Sequence, residues 1–179
     1  MSELSHVARD DIKKLLQKLP KLSMKELLSY LVNAEAEEAE MYRHLTEVSR
    51  EITWSEEIPK VFHGLSEDSI QHAEELLKLY KKLFPGEELA PVDLPPLEVV
   101  LGEDKLREFL RHGRLWELFD ILMENEKMTA EVYEYIHSVS ENPEIREVAK
   151  WLAEVEWGHF NKIKILKDRH LLLKDNQTG

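Results

Sequence analysis

The sequence predicts an all-α fold, a four-helix bundle with one long crossover and a short helix ahead of it. Apolar residues recur at helical spacing over four long stretches, and no β-branched run alternates with period two. Six Gly and seven Pro are few for 179 residues, so long helices are seldom interrupted. A short first helix is expected over 7–19, with Ile12, Leu15, Leu16 and Leu19 on one side and Pro20 ending it. Ser23 and Glu26 have capping-box spacing and open a helix over 23–52, whose stripe is Leu28, Leu31, Glu35, Ala39, Tyr42 and Leu45. The next helix, 56–84, aligns Ile58, Phe62, Leu65, Ser69, His72 and Leu76, and Pro85-Gly86 stops it. Residues 85–114 form the crossover, turn-rich through APVDLPP, with a shorter helical piece near 104–111. The third long helix, 115–139, carries Leu118, Leu122, Glu126, Tyr133 and Ile136, and Asn142-Pro143 breaks the chain after it. The fourth, 144–172, points Val148, Leu152, Val155, His159, Ile163 and Leu166 inward, and 174–179 is expected to fray. Two hairpins joined by a long connection make one domain spanning 1–179.

Composition narrows the function classes. Lys and Arg total 24 against 36 Asp and Glu, a net charge of −12, which repels phosphate backbones and anionic membranes. Neither nucleic acid nor membrane is an expected partner. Without Cys there are no disulfides, zinc ribbons, thiolate nucleophiles or Cys-ligated iron. No apolar run approaches the length of a membrane span, and the first residues lack the basic and apolar segments of a signal peptide. A soluble, cytoplasmic protein is expected. No Gly-rich phosphate loop or Gly-x-Ser-x-Gly elbow supports a hydrolase or transferase.

The two hairpins read as copies. Aligning Glu35 with Glu126 also pairs Ala39/Ala130, Tyr42/Tyr133 and Val48/Val139. Aligning His72 with His159 pairs Ile58/Ile145, Val61/Val148, Leu65/Leu152 and Leu79/Leu166. Composition alone gives shared Leu and Glu positions, but not a matched Glu-to-Tyr spacing and an inward His in the same order.

The informative acids are those inside the apolar stripes. At about 100° per residue, Glu35 falls between Leu31 and Ala39, and Glu126 takes the same slot between Leu122 and Tyr133. A buried lone carboxylate is costly unless paired, protonated or metal-bound, and a divalent cation is the simplest compensation for two. Glu156 and His159, at i and i+3, point the same way and can reach one ion. Glu-x-x-His also occurs at Glu3/His6 and Glu134/His137, so the motif alone decides nothing. A single inward His is most simply a hydrogen-bonded core residue, and Tyr42 and Tyr133 are most simply core aromatics. Glu37, Glu40, Glu74 and Glu75 read as solvated surface. Recurrence of Glu and His at equivalent places in both hairpins is what points to metal.

This pattern resembles the rubrerythrin branch of the ferritin-like superfamily. The matching residues are Glu35-x-x-x-Ala39-x-x-Tyr42, His72, Glu126-x-x-x-Ala130-x-x-Tyr133 and Leu152-Ala-Glu-Val-Glu156-x-x-His159, within about 23–172. The resemblance implies a ferritin-like bundle with two irons. Glu35 and Glu126 are then terminal ligands, Glu156 a bridging carboxylate, and His72 and His159 one imidazole for each ion. Tyr42 and Tyr133 are placed to hydrogen-bond the ligating carboxylates. Glu and His ligands also accept manganese or zinc. The implied activity is reduction of peroxide or O2, or oxidation of Fe(II), in a protein that commonly forms homodimers.

Two departures stand out. Ser69 occupies the position where the family's second helix carries its bridging Glu, and a neutral hydroxyl is a poor iron ligand. Glu38, one turn beyond Glu35, is the first candidate to replace it, ahead of Asp68; solvent, or loss of one of the two metal positions, is the remaining alternative. Where some rubrerythrins place an extra Glu on the third helix, this sequence has Thr129. The Cys-bearing rubredoxin-like domain of longer members is absent from this sequence, so a catalyst of this kind draws electrons from a separate donor protein. The alternative function is a non-enzymatic metal-binding or interaction bundle with a degraded site. Its partner surfaces would be the N-terminal helix and the Leu171-Leu172-Leu173 tail.

Overall fold

The computed structural model describes residues 15–52, 55–97, 107–109 and 114–175. Four long helices dominate them: α1 (Met24–Ile52), α2 (Glu57–Leu83), α3 (Leu115–Val139) and α4 (Pro143–Asp175). The fold is an all-α bundle. Most of the expected N-terminal helix lies outside the described residues, which begin with a helical turn at 15–18 and a 3-10 turn, Leu19–Lys21. Of the expected helical piece at 104–111, only 107–109 is described, and it is helical. The last helix runs to Asp175 rather than fraying at 174, and side chains beyond 170 lie outside the description, the Leu171-Leu172-Leu173 tail among them.

Local chemistry sets the helix ends. The Ser23 N–H donates to Glu26 Oε2 at 2.9 Å and the Glu26 N–H to Ser23 Oγ at 3.3 Å, the reciprocal pair of a capping box. Asn142 caps α4, accepting from the Glu144 and Ile145 N–H groups through Oδ1, with Pro143 at the first helical position where no N–H is needed. After α2, Pro85 and Gly86 form a turn closed by the Glu87 N–H on the Phe84 carbonyl. Gly86 sits at φ +79°, a conformation L side chains rarely adopt.

α1 packs along α2 and α3 along α4 as two hairpins. The crossover is strapped to the first hairpin by Tyr30 Oη on the Pro95 carbonyl at 2.8 Å and the Ala90 N–H on Ser29 Oγ at 2.9 Å. The apolar core comes in two parts. One gathers Leu28, Leu31, Leu76, Tyr80, Tyr133, Ile136 and Leu152; the other gathers Met41, Leu45, Phe62, Leu65, Leu118, Leu122, Ile163 and Leu166. In every helix the two sets lie on either side of a group of buried polar residues, Glu35 and Glu38, Ser66 and Ser69, Asn125, Glu126 and Thr129, and Glu156 and His159, so a polar layer divides the core at mid-height.

Candidate metal centre

That layer is built from all four helices. α1 contributes Glu35 and Glu38, three residues apart and therefore on one face. α2 contributes Ser69 and His72, α3 Glu126, and α4 Glu156 and His159. All except His72 are nearly inaccessible to solvent.

Glu38, Glu126, Glu156 and His159 each offer an atom within 4.8 Å of the others. His159 Nδ1 lies 3.4 Å from Glu38 Oε1, 3.4 Å from Glu156 Oε2 and 3.6 Å from Glu126 Oε2. Beside this cluster, His72 Nδ1 lies 3.4 Å from Glu35 Oε2. The two imidazole centroids are 5.6 Å apart, so the five sequence-predicted ligands, Glu35, His72, Glu126, Glu156 and His159, are gathered in one place.

The hydrogen-bond pattern tests whether these residues suit a cation. Glu35 Oε2, Glu38 Oε1, Glu126 Oε2, both oxygens of Glu156, His72 Nδ1 and both nitrogens of His159 are buried without a hydrogen-bond partner. Native interiors leave few such atoms unsatisfied. Carboxylate and imidazole atoms converging from four helices satisfy a divalent ion together, and the donor set suits iron, manganese or zinc. The residues fit a metal.

Electrostatics agree. Burial, and then the charge of Glu126, push the Glu38 carboxyl up to about 8. Burial raises Glu156 well above the usual carboxylate range, with Glu38 adding to the effect. Burial opposes a charge on His159, but its contacts with Glu126, Glu156 and Glu38 outweigh that and raise its pKa far above the usual histidine range. Without a cation the cluster therefore retains protons, which a bound ion displaces.

Of the two candidates to replace the Glu missing at Ser69, the structure brings Glu38 into the cluster. Ser69 Oγ donates to Glu38 Oε2 at 2.8 Å, with the Leu65 carbonyl, at 3.0 Å, as its second acceptor. Asp68 stands apart. It is 35% exposed, hydrogen-bonded to Lys162, and 4.0 Å from His159 Nε2, the ring nitrogen opposite the one facing the carboxylates. Tyr42 Oη donates to Glu126 Oε1, so its partner is on the other hairpin; Tyr133 is buried at the equivalent place on α3. Thr129 Oγ1 is buried with no hydrogen bond. Sequence reasoning missed Asn125, which is buried beside Glu126. Its signal was a polar residue one turn beyond Leu122 on the core side. The other described Glu-x-x-His has a surface role, Glu134 accepting from Trp157 Nε1 at 2.8 Å and His137 Nδ1 meeting the Arg146 carbonyl at 2.9 Å. Glu3/His6 lies outside the described residues.

The family model described as Rubrerythrin matches residues 26–167, which include every residue of the cluster. A solved structure of a hypothetical protein from Pyrococcus furiosus is similar at TM-score 0.60 and 24% identity, covering 89% of this chain and 96% of that one. At that identity the likeness bears on the fold alone. No curated protein matches the chain. With the family model matched over most of its length and carboxylates and imidazoles meeting at the bundle centre, the chain belongs to the rubrerythrin family.

Proposed function

We propose that the chain is a di-iron carboxylate protein that reduces hydrogen peroxide or O2, with electrons from a separate donor protein. The observation that carries this reading is the convergence of Glu38, Glu126, Glu156 and His159 beside the Glu35–His72 pair. Two ferrous ions bound there would supply one electron each, which with two protons would convert hydrogen peroxide into two waters. Oxidation of Fe(II) as an iron-handling function uses the same site. The reading includes a single domain, a homodimer and a cytoplasmic location.

The chain's own residues do the rest. Four carboxylates, Glu35, Glu38, Glu126 and Glu156, carry four negative charges when ionised and balance two divalent cations. His72 and His159 add neutral donors, each presenting Nδ1 toward a carboxylate. The Tyr42 and Ser69 hydroxyls each hold one carboxylate oxygen and leave the other for the ion. The apolar sets on either side limit water to the polar layer.

Metal analysis of the purified protein, followed by peroxide consumption after anaerobic ferrous loading, tests the reading. The expected result is up to two ions per chain and peroxide loss matched to ferrous oxidation. Less than one ion per chain with peroxide untouched rejects it. A non-enzymatic bundle is the second reading, favoured by Ser69 at the position of the family's bridging Glu. It predicts bound metal with no turnover when electrons are supplied.

A further inference from the structure

We infer that the chain holds its two ions in unequal positions. A four-donor position at Glu38, Glu126, Glu156 and His159 fills first, and a position at Glu35 and His72 fills second. The inference rests on the metal-centre reading above and deepens it.

The internal repeat leaves the two hairpins unequal at two places. It equates Glu38 of α1 with Thr129 of α3, and Ser69 of α2 with Glu156 of α4. Each hairpin thus carries one carboxylate and one hydroxyl at these two places, in opposite order. In the second hairpin the carboxylate is on the helix that bears the His; in the first it is on the other helix. A symmetric site would divide its carboxylates evenly between the two imidazoles. This one does not.

The side-chain contacts are unequal as well. Ser69 holds Glu38 Oε2, and Oε1 is left 3.4 Å from His159 Nδ1, the imidazole of the other hairpin. Ser69 is therefore a positioning residue that directs the exchanged carboxylate toward α4. Three carboxylates face His159 Nδ1, whereas His72 Nδ1 has Glu35 as its close carboxylate partner among the described contacts. His159 is 2% exposed and His72 14%, with the His72 ring edge against Trp151 at 5.5 Å between centroids. An ion beside His159 finds four protein donors in a nearly dry place. An ion beside His72 finds two, plus whatever bridging oxygen remains, and replaces less of its hydration. Charge still calls for both ions. One divalent ion leaves the four ionised carboxylates at a net −2, and the second brings them to zero.

Titration of the metal-free full chain with Co2+, followed by calorimetry and visible absorption, tests the inequality. Two resolved steps are expected, the first tighter. His72→Ala should lose the second step and retain the first, while His159→Ala should weaken the first. Ser69→Ala should weaken the first step by about 10-fold, since it frees a ligand from the group that orients it. Two ions entering in one indistinguishable step overturn the inference while the metal centre stands. So does a first step lost equally in the two His variants. Absence of any Co2+ binding removes the metal-centre reading itself and this inference with it. The wild-type titration decides the main point even where a variant folds poorly.

Discussion

Ser69 on α2 donates a 2.8 Å hydrogen bond to Glu38 on α1, joining the serine that departs from the family pattern to a buried carboxylate of the cluster. The two occupy facing places in one hairpin, where an exchange of carboxylate and hydroxyl between the helices would put them. An exchange of this kind is reversible by design. Glu38→Gln should lower metal content by at least one ion per chain, because the neutral amide removes a charge that the first ion needs. The double variant Glu38→Ser/Ser69→Glu should recover that content, with the carboxylate back on α2 and the hydroxyl opposite it. Elemental analysis of the three proteins checks this, and a double variant as empty as Glu38→Gln sinks the exchange.

The metal-free protein should lose stability as pH rises from about 4.5 to about 8. Glu38 titrates near 4.5 in the unfolded chain and is pushed up to about 8 in the folded one, by burial first and by Glu126 second. Between those values the folded state binds more protons than the unfolded state, so stability is complete below the window and declines through it. His159, raised above its ordinary 6.5, contributes in the same direction: its stabilisation is present below that value and declines at higher pH. Denaturant midpoints measured with chelator at pH 5 and pH 8 should therefore fall, and fall less in Glu38→Gln. Saturating divalent metal should reverse the slope, because the ion competes with protons for the same atoms. A metal-free midpoint that climbs across this range contradicts the buried, proton-retaining cluster.

Tyr42 on α1 donates to Glu126 on α3, and the contact links the two hairpins through the polar layer. Tyr42→Phe keeps the ring against Phe62, 6.2 Å between centroids, and removes only the hydroxyl. The Glu126 oxygen is then buried without a donor, at a cost of about 1–3 kcal/mol to the metal-free protein. For a chain of this length each kcal/mol lowers the melting temperature by about 2–4 °C. Metal affinity should fall by about 10–100-fold, the usual effect of removing a partner that orients a ligand. A melting temperature and cobalt affinity both unchanged from wild type would show that the hydroxyl serves neither purpose.

The fold and much of the site were legible because polar residues interrupt otherwise regular apolar stripes. Glu35, Ser69, His72, Glu126 and His159 each stand at a core position of a long helix, where periodicity makes an unexpected residue conspicuous. Glu38 was harder to place. It lies one turn from Glu35, but its selection over Asp68 depends on the bond from Ser69, 31 residues away. Asp68 is drawn outward by Lys162, 94 residues away, and no helical period encodes that pairing. The face of Tyr42 could be read from its spacing to Glu35. Its partner on the opposite hairpin could not, because the reach of a phenol across a bundle depends on how the helices cross.

Asp68 separates two explanations of a partly exposed carboxylate near His159. Its ion pair with Lys162 is largely solvent-exposed, and such pairs contribute about 0–1 kcal/mol. If that were its whole role, Asp68→Ala would leave both stability and metal binding near wild type. Its carboxylate also lies 4.0 Å from His159 Nε2. That carboxylate charge, close to Nε2 without a hydrogen bond to it, favours the tautomer with the proton on Nε2 and the lone pair on Nδ1, toward Glu38, Glu126 and Glu156. Asp68→Ala should therefore weaken the first cobalt step by about 10-fold while the melting temperature of the metal-free protein stays within about 2 °C of wild type. Lys162→Ala, which leaves the carboxylate in place, should spare the cobalt step. Equal losses in the two variants would assign the effect to the ion pair instead of the imidazole.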